Sequence, residues 1–171
     1  MKTSKKELPK VDEKLKFTID EIKAIVAHEL GHWHNNDQYK LMLFLTVEFA
    51  FMFYIFSLVI NNTAILKSFG FSEKSNFASL VIFMKFYEVI IFITGKLQTA
   101  FIRHMEFKAD LYAVNEFQSL GDSIRHGLQH ALIKAFKRNN ANLNPDWLYA
   151  AFNQSHPSLY ERIKAIPNTE C

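Results

Sequence analysis

Ala27-His28-Glu29-Leu30-Gly31-His32-Trp33 carries two histidines four residues apart, with a glutamate directly after the first. On an α-helix this spacing sets the imidazoles about 40° apart around the axis and one turn along it, so both reach one ion from the same side. Glu29 projects about 100° from His28, which lets its carboxylate stand beside a metal-bound water and take its proton without being a ligand. A catalytic zinc keeps three protein ligands and one open position, so the third ligand must come from elsewhere in the chain. The competing reading is a chance match on an amphipathic helix.

The helix around this stretch is well specified. Thr18 and Glu21 form the T-x-x-E of a capping box, while Phe17 and Ile22 stand at the two positions of a hydrophobic staple. The zinc helix is therefore expected over 19–35, with Ile22, Ile25, Val26 and Leu30 on its apolar face and Asn35-Asn36 at its end. Residues 1–17 are expected to form a polar lead-in, with six lysines and no apolar core of the kind a secretory signal needs.

The 171 residues suit one domain with a buried core. Seventeen Phe against five Gly and four Pro point to long apolar helices, hence an all-α fold. Cys171 is the only cysteine, which excludes an intrachain disulfide and a cysteine-cluster metal site. It is the last residue, so it forms no C-a-a-X box either. The formal charge of +3 is too small to argue for a nucleic-acid partner.

The next segment makes this an expected membrane protein. Residues 41–60, LMLFLTVEFAFMFYIFSLVI, contain one charge, Glu48, and at about 1.5 Å per residue span about 30 Å, the hydrocarbon thickness of a bilayer. A buried helix in a soluble protein would need apolar partners on every side, which a chain this short hardly offers. A polar loop over 61–76 leads to a second span at 77–102, interrupted by Lys85, Glu88 and Lys96. Lys85 and Glu88 can pair with each other or with Glu48, either lining an aqueous chamber or forming a structural ion pair. Two spans return the chain to the side it left, placing everything after Ile102 beside His28 and His32. Eight Lys and Arg precede the first span, two lie in the loop and eight follow Ile102, so the positive-inside rule puts both ends in the cytosol.

The C-terminal region, 103–171, is amphipathic. RHMEFKADLYAVNEF reads as a helix bearing Glu106 and Asp110. Asp122 is expected to cap a helix running to about Arg138 with Ile124, Leu128, Leu132 and Ala135 buried; Asn144 and Pro145 start another, and Pro157 a last one with His156 near its cap. Glu106 and Asp110 are four apart, so their carboxylates project together. Glu106 is the natural third ligand, and Asp110 is placed to accept a hydrogen bond from the non-ligating N–H of a zinc-bound histidine. His126 and His130 share the spacing of the first pair but lie opposite the apolar stripe and read as surface residues. His34 and His104 point away from the ligand face. Trp33 and Trp147 read as packing or interfacial residues. His156 either donates to a substrate carbonyl and its oxyanion or caps a helix; Arg162 either orients His156, binds a carboxylate or is solvated.

HELGHW, two spans, MEFKAD and then NPDWLYAAFNQSHPSLYERIKAI together resemble the type I CAAX prenyl proteases, integral membrane zinc endopeptidases that process farnesylated proteins. The resemblance runs from about Thr18 to Ile166, and the tryptophan-containing segment and S-H-P-x-L-x-E-R stretch favour this group over stress-type membrane zinc proteases. It implies a peptidase domain over 18–171 with one zinc ion on His28, His32 and Glu106. Glu29 would be the catalytic acid and base, Asp110 a support behind the ligands, and His156 and Arg162 substrate or transition-state contacts. It further implies the endoplasmic reticulum membrane, extending to the nuclear envelope, a catalytic side facing the cytosol, and a prenylated CAAX protein as substrate, cleaved to release its last three residues. Family members carry several more spans ahead of the zinc helix, so the chain is expected to be the C-terminal half, as a fragment or a truncated paralogue.

Overall fold

The computed structural model describes residues 16–117 and 122–167. Among them every regular element is helical: α1 (Ile19–His34), α2 (Asp37–Ile60), α3 (Thr63–Ser68), α4 (Asn76–Glu116), α5 (Asp122–Arg138), α6 (Trp147–Asn153) and α7 (Leu159–Ala165). The described residues divide into two compact units, one drawn from 16–31, 108–117, 122–145 and 158–167, the other from 32–107 and 146–157. Both α1 and α4 run unbroken through the division.

In the first unit α1 begins where its caps dictate. The Thr18 N–H donates to Glu21 Oε2 at 2.7 Å, and the Glu21 N–H donates to Thr18 Oγ1 at 3.3 Å. The reciprocal bonds satisfy two of the N–H groups that a helix start leaves open. The core joins Ala24 and Ala27 of α1 to Ala113 and Val114 of α4, Leu128 and Leu132 of α5, and Leu159 and Ile166 around α7. Small residues let the helix axes approach closely. At Gly127 of α5, an added Cβ would meet the Asp20 carbonyl oxygen at 2.8 Å.

The expected apolar face of α1 is corrected by this packing. Ile22, Val26 and Leu30 are exposed and, with Ile19, Phe117 and Ile124, line a groove of about 400 Å³. The buried face is Glu21, Ala24, Ala27, His28 and Gly31. Close helix contact, rather than aliphatic bulk, decides which side faces inward.

In the second unit, α2 and the first part of α4 are long and apolar enough to cross a membrane. Only 6% and 22% of their most apolar windows are buried, which argues against core helices of a soluble protein. Phe49, Phe53, Phe77 and Phe92 face outward, while Val59, Leu66, Ala78, Ile82 and Phe83 pack inward near the connecting loop. Thr94 donates its hydroxyl to Glu48, and Lys85 pairs with Glu88 at 3.0 Å in an exposed setting. The expected polar loop contains a short helix, α3, whose first N–H groups donate to the Asn62 side chain.

Three expected boundaries move. The helix bearing Glu106 does not start at Arg103 but continues the second span; nothing at Ile102-Arg103 breaks it, and its 41 residues reach about 60 Å. The cap of α6 is Asp146, whose carboxylate accepts from the N–H groups of Leu148 and Tyr149 at 3.0 Å, rather than Asn144. The cap of α7 is Ser158, paired with Glu161 in a complete capping box, so His156 and Pro157 precede the helix. In both, an acceptor two residues nearer the apolar run outcompetes the proline-based start. The α5 start expected at Asp122 rests on a side chain outside the described set.

Lys134 of α5 pairs with buried Glu21 at 2.7 Å and also donates to the Lys16 carbonyl at 2.9 Å. Burial opposes ionisation of Glu21, but the bonds from Lys134 and Thr18 outweigh it and hold the carboxyl below its usual value. A carboxyl depressed in the folded state stabilises above its unfolded value, and that contribution is lost as pH falls through the lowered folded one. Glu21→Gln is expected to remove about 1 kcal/mol at pH 7 and to flatten the acid limb of thermal stability. Melting curves followed by circular dichroism between about pH 7 and pH 3 check this.

Candidate metal centre

His28 and His32 lie on successive turns of α1, Glu106 and Asp110 on successive turns of α4. What brings the helices together is Gly31. A Cβ there would stand 2.9 Å from Ala109 Cα and 3.0 Å from its carbonyl oxygen, closer than real side chains come. Glycine is the residue that permits this approach, and Ala109 is itself fully buried.

The first histidine is fixed by an acid and an arginine. His28 Nδ1 meets Asp110 Oδ1 at 2.9 Å. The Arg162 guanidinium forks onto the same carboxylate, Nε to Oδ2 at 2.8 Å and Nη2 to Oδ1 at 2.6 Å. Burial opposes ionisation of Asp110, yet bonds and charge from Arg162 and then His28 prevail and hold its carboxyl below the usual range. An ionised Asp110 only accepts, so the His28 Nδ1 carries the proton and Nε2 is the ring nitrogen able to ligate a metal.

The second histidine repeats the arrangement. His32 Nδ1 lies 2.9 Å from Asp37 Oδ2, and its Nε2 faces Glu106 Oε1 at 3.7 Å. Glu106 Oε1 also accepts from His156 Nδ1 at 2.9 Å. Arg103, buried on α4, donates to the carbonyls of Ala150 and His156, and Lys96 donates to the Phe152 carbonyl at 2.6 Å. These two cations tie α6 and the strand of chain carrying His156 to α4. Sequence reading missed Asp37, Arg103 and this use of Lys96; the only signal for Asp37 was an acid closing the Asn35-Asn36 turn.

One ligand atom from each of His28, His32 and Glu106 lies within 4.8 Å of the others. Tetrahedral zinc ligands at about 2.0 Å stand about 3.3 Å apart, so small rotations would close the set on an ion. Two imidazole nitrogens and one carboxylate suit a borderline-soft divalent cation. Glu29 is exposed, one residue along α1 from His28. His34, His104, His126 and His130 are all exposed, and Trp33 and Trp147 are 78% and 72% exposed. Arg162 is buried against Asp110, not presented to an open site as a substrate contact requires.

Fold and site define a helical membrane protein with a two-histidine, one-carboxylate set that could hold a metal ion. The chain matches the model of Peptidase family M48 over residues 12–170 and belongs to that family of metallopeptidases, which implies a metal. It is 35% identical over 147 residues to CAAX prenyl protease 1 homolog of Arabidopsis thaliana, covering 86% of this chain and 33% of the relative. It is 32% identical over 162 residues to CAAX prenyl protease 1 of Saccharomyces cerevisiae, covering 86% and 34%. The crystal structure of S. mikatae Ste24p superposes with a TM-score of 0.68 at 26% identity, over 88% of this chain and 36% of that one. The chain thus spans about a third of the length of the curated relatives it matches.

Two substitutions test the packing behind the site. Gly31→Ala is expected to cost about 1–3 kcal/mol and to weaken metal binding, because α1 must withdraw from Ala109. Arg162→Ala leaves Asp110 buried without its main partner and is expected to cost about 3–5 kcal/mol. Thermal unfolding of the metal-free variants reads both costs.

Proposed function

We propose that this chain carries the peptidase domain, residues 18–171, of a zinc metalloendopeptidase that removes the last three residues of prenylated CAAX proteins. The single observation behind the reading is the convergence of His28, His32 and Glu106 with both histidines oriented through Nδ1. The M48 relatives of this chain, CAAX prenyl proteases, supply the substrate class. A zinc ion held by the three residues would activate water and polarise the scissile carbonyl.

The chain's own groups then divide the work. Glu29 takes the proton of the attacking water and passes it to the leaving amine. His156, whose Nδ1–H reaches Glu106 here, would turn that N–H to the carbonyl oxygen as negative charge develops there, once Glu106 is engaged by the metal. Asp110 fixes the ring of His28, and Arg162 fixes Asp110 instead of meeting substrate. The catalytic side faces the cytosol at the endoplasmic reticulum membrane and its nuclear-envelope extension, a reading supported by the Lys and Arg bias around the spans.

The test uses the zinc-loaded chain in lipid nanodiscs with a farnesylated C-a-a-X peptide and its unprenylated twin. Glu29→Gln is expected to keep zinc and lose turnover by about 100-fold or more. Turnover retained at full zinc occupancy rejects Glu29 as the base. Equal cleavage of the twin favours a quality-control protease, and bound zinc without turnover favours an inactive metal-binding scaffold.

A further inference from the structure

The link between His32 and Asp37 has no place in the reaction so far, yet it is built like the link between His28 and Asp110. Asp37 is 5% exposed and, like Asp110, is a buried acid that meets the Nδ1 of a metal-site imidazole. Asn36 turns the corner from α1 to α2 in the left-handed region, at φ 55° and ψ 34°, a conformation asparagine tolerates better than most residues. That corner swings the first residue of α2 back onto the last turn of α1. Asp37 Oδ2 then meets His32 Nδ1 at 2.9 Å while Oδ1 takes Lys40 at 3.4 Å, so both carboxylate oxygens are engaged and the group cannot swing away freely.

We infer that Asp37 is a positioning residue for the metal centre: by accepting from His32 Nδ1 it holds the ring in the tautomer whose Nε2 lone pair faces Glu106. The inference rests on the zinc reading for its consequence but not for its geometry. Free imidazole distributes its proton between the two nitrogens, and a ring protonated at Nε2 cannot donate a lone pair to the ion from that atom. Partners of this kind behind metal-bound histidines change metal affinity by about 10–100-fold when removed. Because Asp37 opens α2, it also couples the orientation of a metal ligand to the start of the first membrane helix.

The experiment is nitrogen-15 NMR of the metal-free, histidine-labelled chain in nanodiscs, followed by zinc titration against a competing chelator. Asp37→Asn keeps an acceptor oxygen at the same place; Asp37→Ala removes it. Wild type and Asp37→Asn are expected to show His32 with its proton on Nδ1, and Asp37→Ala a shift toward the Nε2–H form. Zinc affinity is expected to fall about 10–100-fold in Asp37→Ala and no more than a few-fold in Asp37→Asn. An unchanged His32 tautomer in Asp37→Ala, or an equal loss of affinity in both variants, overturns the inference. A wild-type chain with the Nδ1–H tautomer but no zinc affinity supports Asp37's role in orienting the ring while rejecting the zinc reading.

Discussion

The approach of α1 to α4 at Gly31 and Ala109 governs what the rest of the molecule can do. With no Cβ at Gly31, backbone meets backbone, and the turn before it presents His28 to Asp110 at hydrogen-bond distance. A Cβ there would stand 2.9 Å from Ala109 Cα, so any side chain would force the two backbones apart. The surrounding alanines, Ala24, Ala27, Ala109 and Ala113, extend the same logic along both helices. A site made of three ligands from two helices needs its helices close before it needs its ligands, and small residues provide that closeness.

Around this contact the acids and histidines are matched pairwise. Asp110 and Asp37 each meet the Nδ1 of one imidazole, and the Nε2 of His32 faces Glu106 at 3.7 Å. Buried carboxylates are expensive unless paired, and here each has a cationic neighbour, Arg162 in one case and Lys40 in the other. The polar groups of α4 also explain charges that look misplaced in an apolar helix. Lys96 and Arg103 reach backbone carbonyls around α6, carrying the chain back to Glu106 through His156.

Local signals were readable from the residues alone: the Thr18–Glu21 box placed the start of α1 at Ile19, and the run from Leu41 to Ile60 marked the first apolar helix. Long-range signals were not. The aliphatic stripe of α1 suggested the wrong inner face, because hydrophobicity cannot reveal that a neighbouring backbone will demand alanine and glycine. Asn144-Pro145 and Pro157 imitate helix starts, but Asp146 and Ser158 offer better acceptors closer to the helices. Asp37 was invisible because its partner lies five residues away across a turn whose left-handed residue has no distinctive spacing. The candidate pair His28 and His32 was legible because i, i+4 spacing on a helix is a geometric statement that survives any tertiary arrangement, and the structure brings one ligand atom of each within 4.8 Å of one from Glu106.

X-ray absorption at the zinc edge of the reconstituted, zinc-loaded chain tests the central claim most directly. The account predicts one zinc per chain, with two imidazole nitrogens at about 2.0–2.1 Å and carboxylate or water oxygens completing a four-coordinate sphere. In Glu106→Ala it predicts loss of the carboxylate contribution together with most of the bound metal. A spectrum with a different number of imidazoles, or one unchanged by Glu106→Ala, would contradict it.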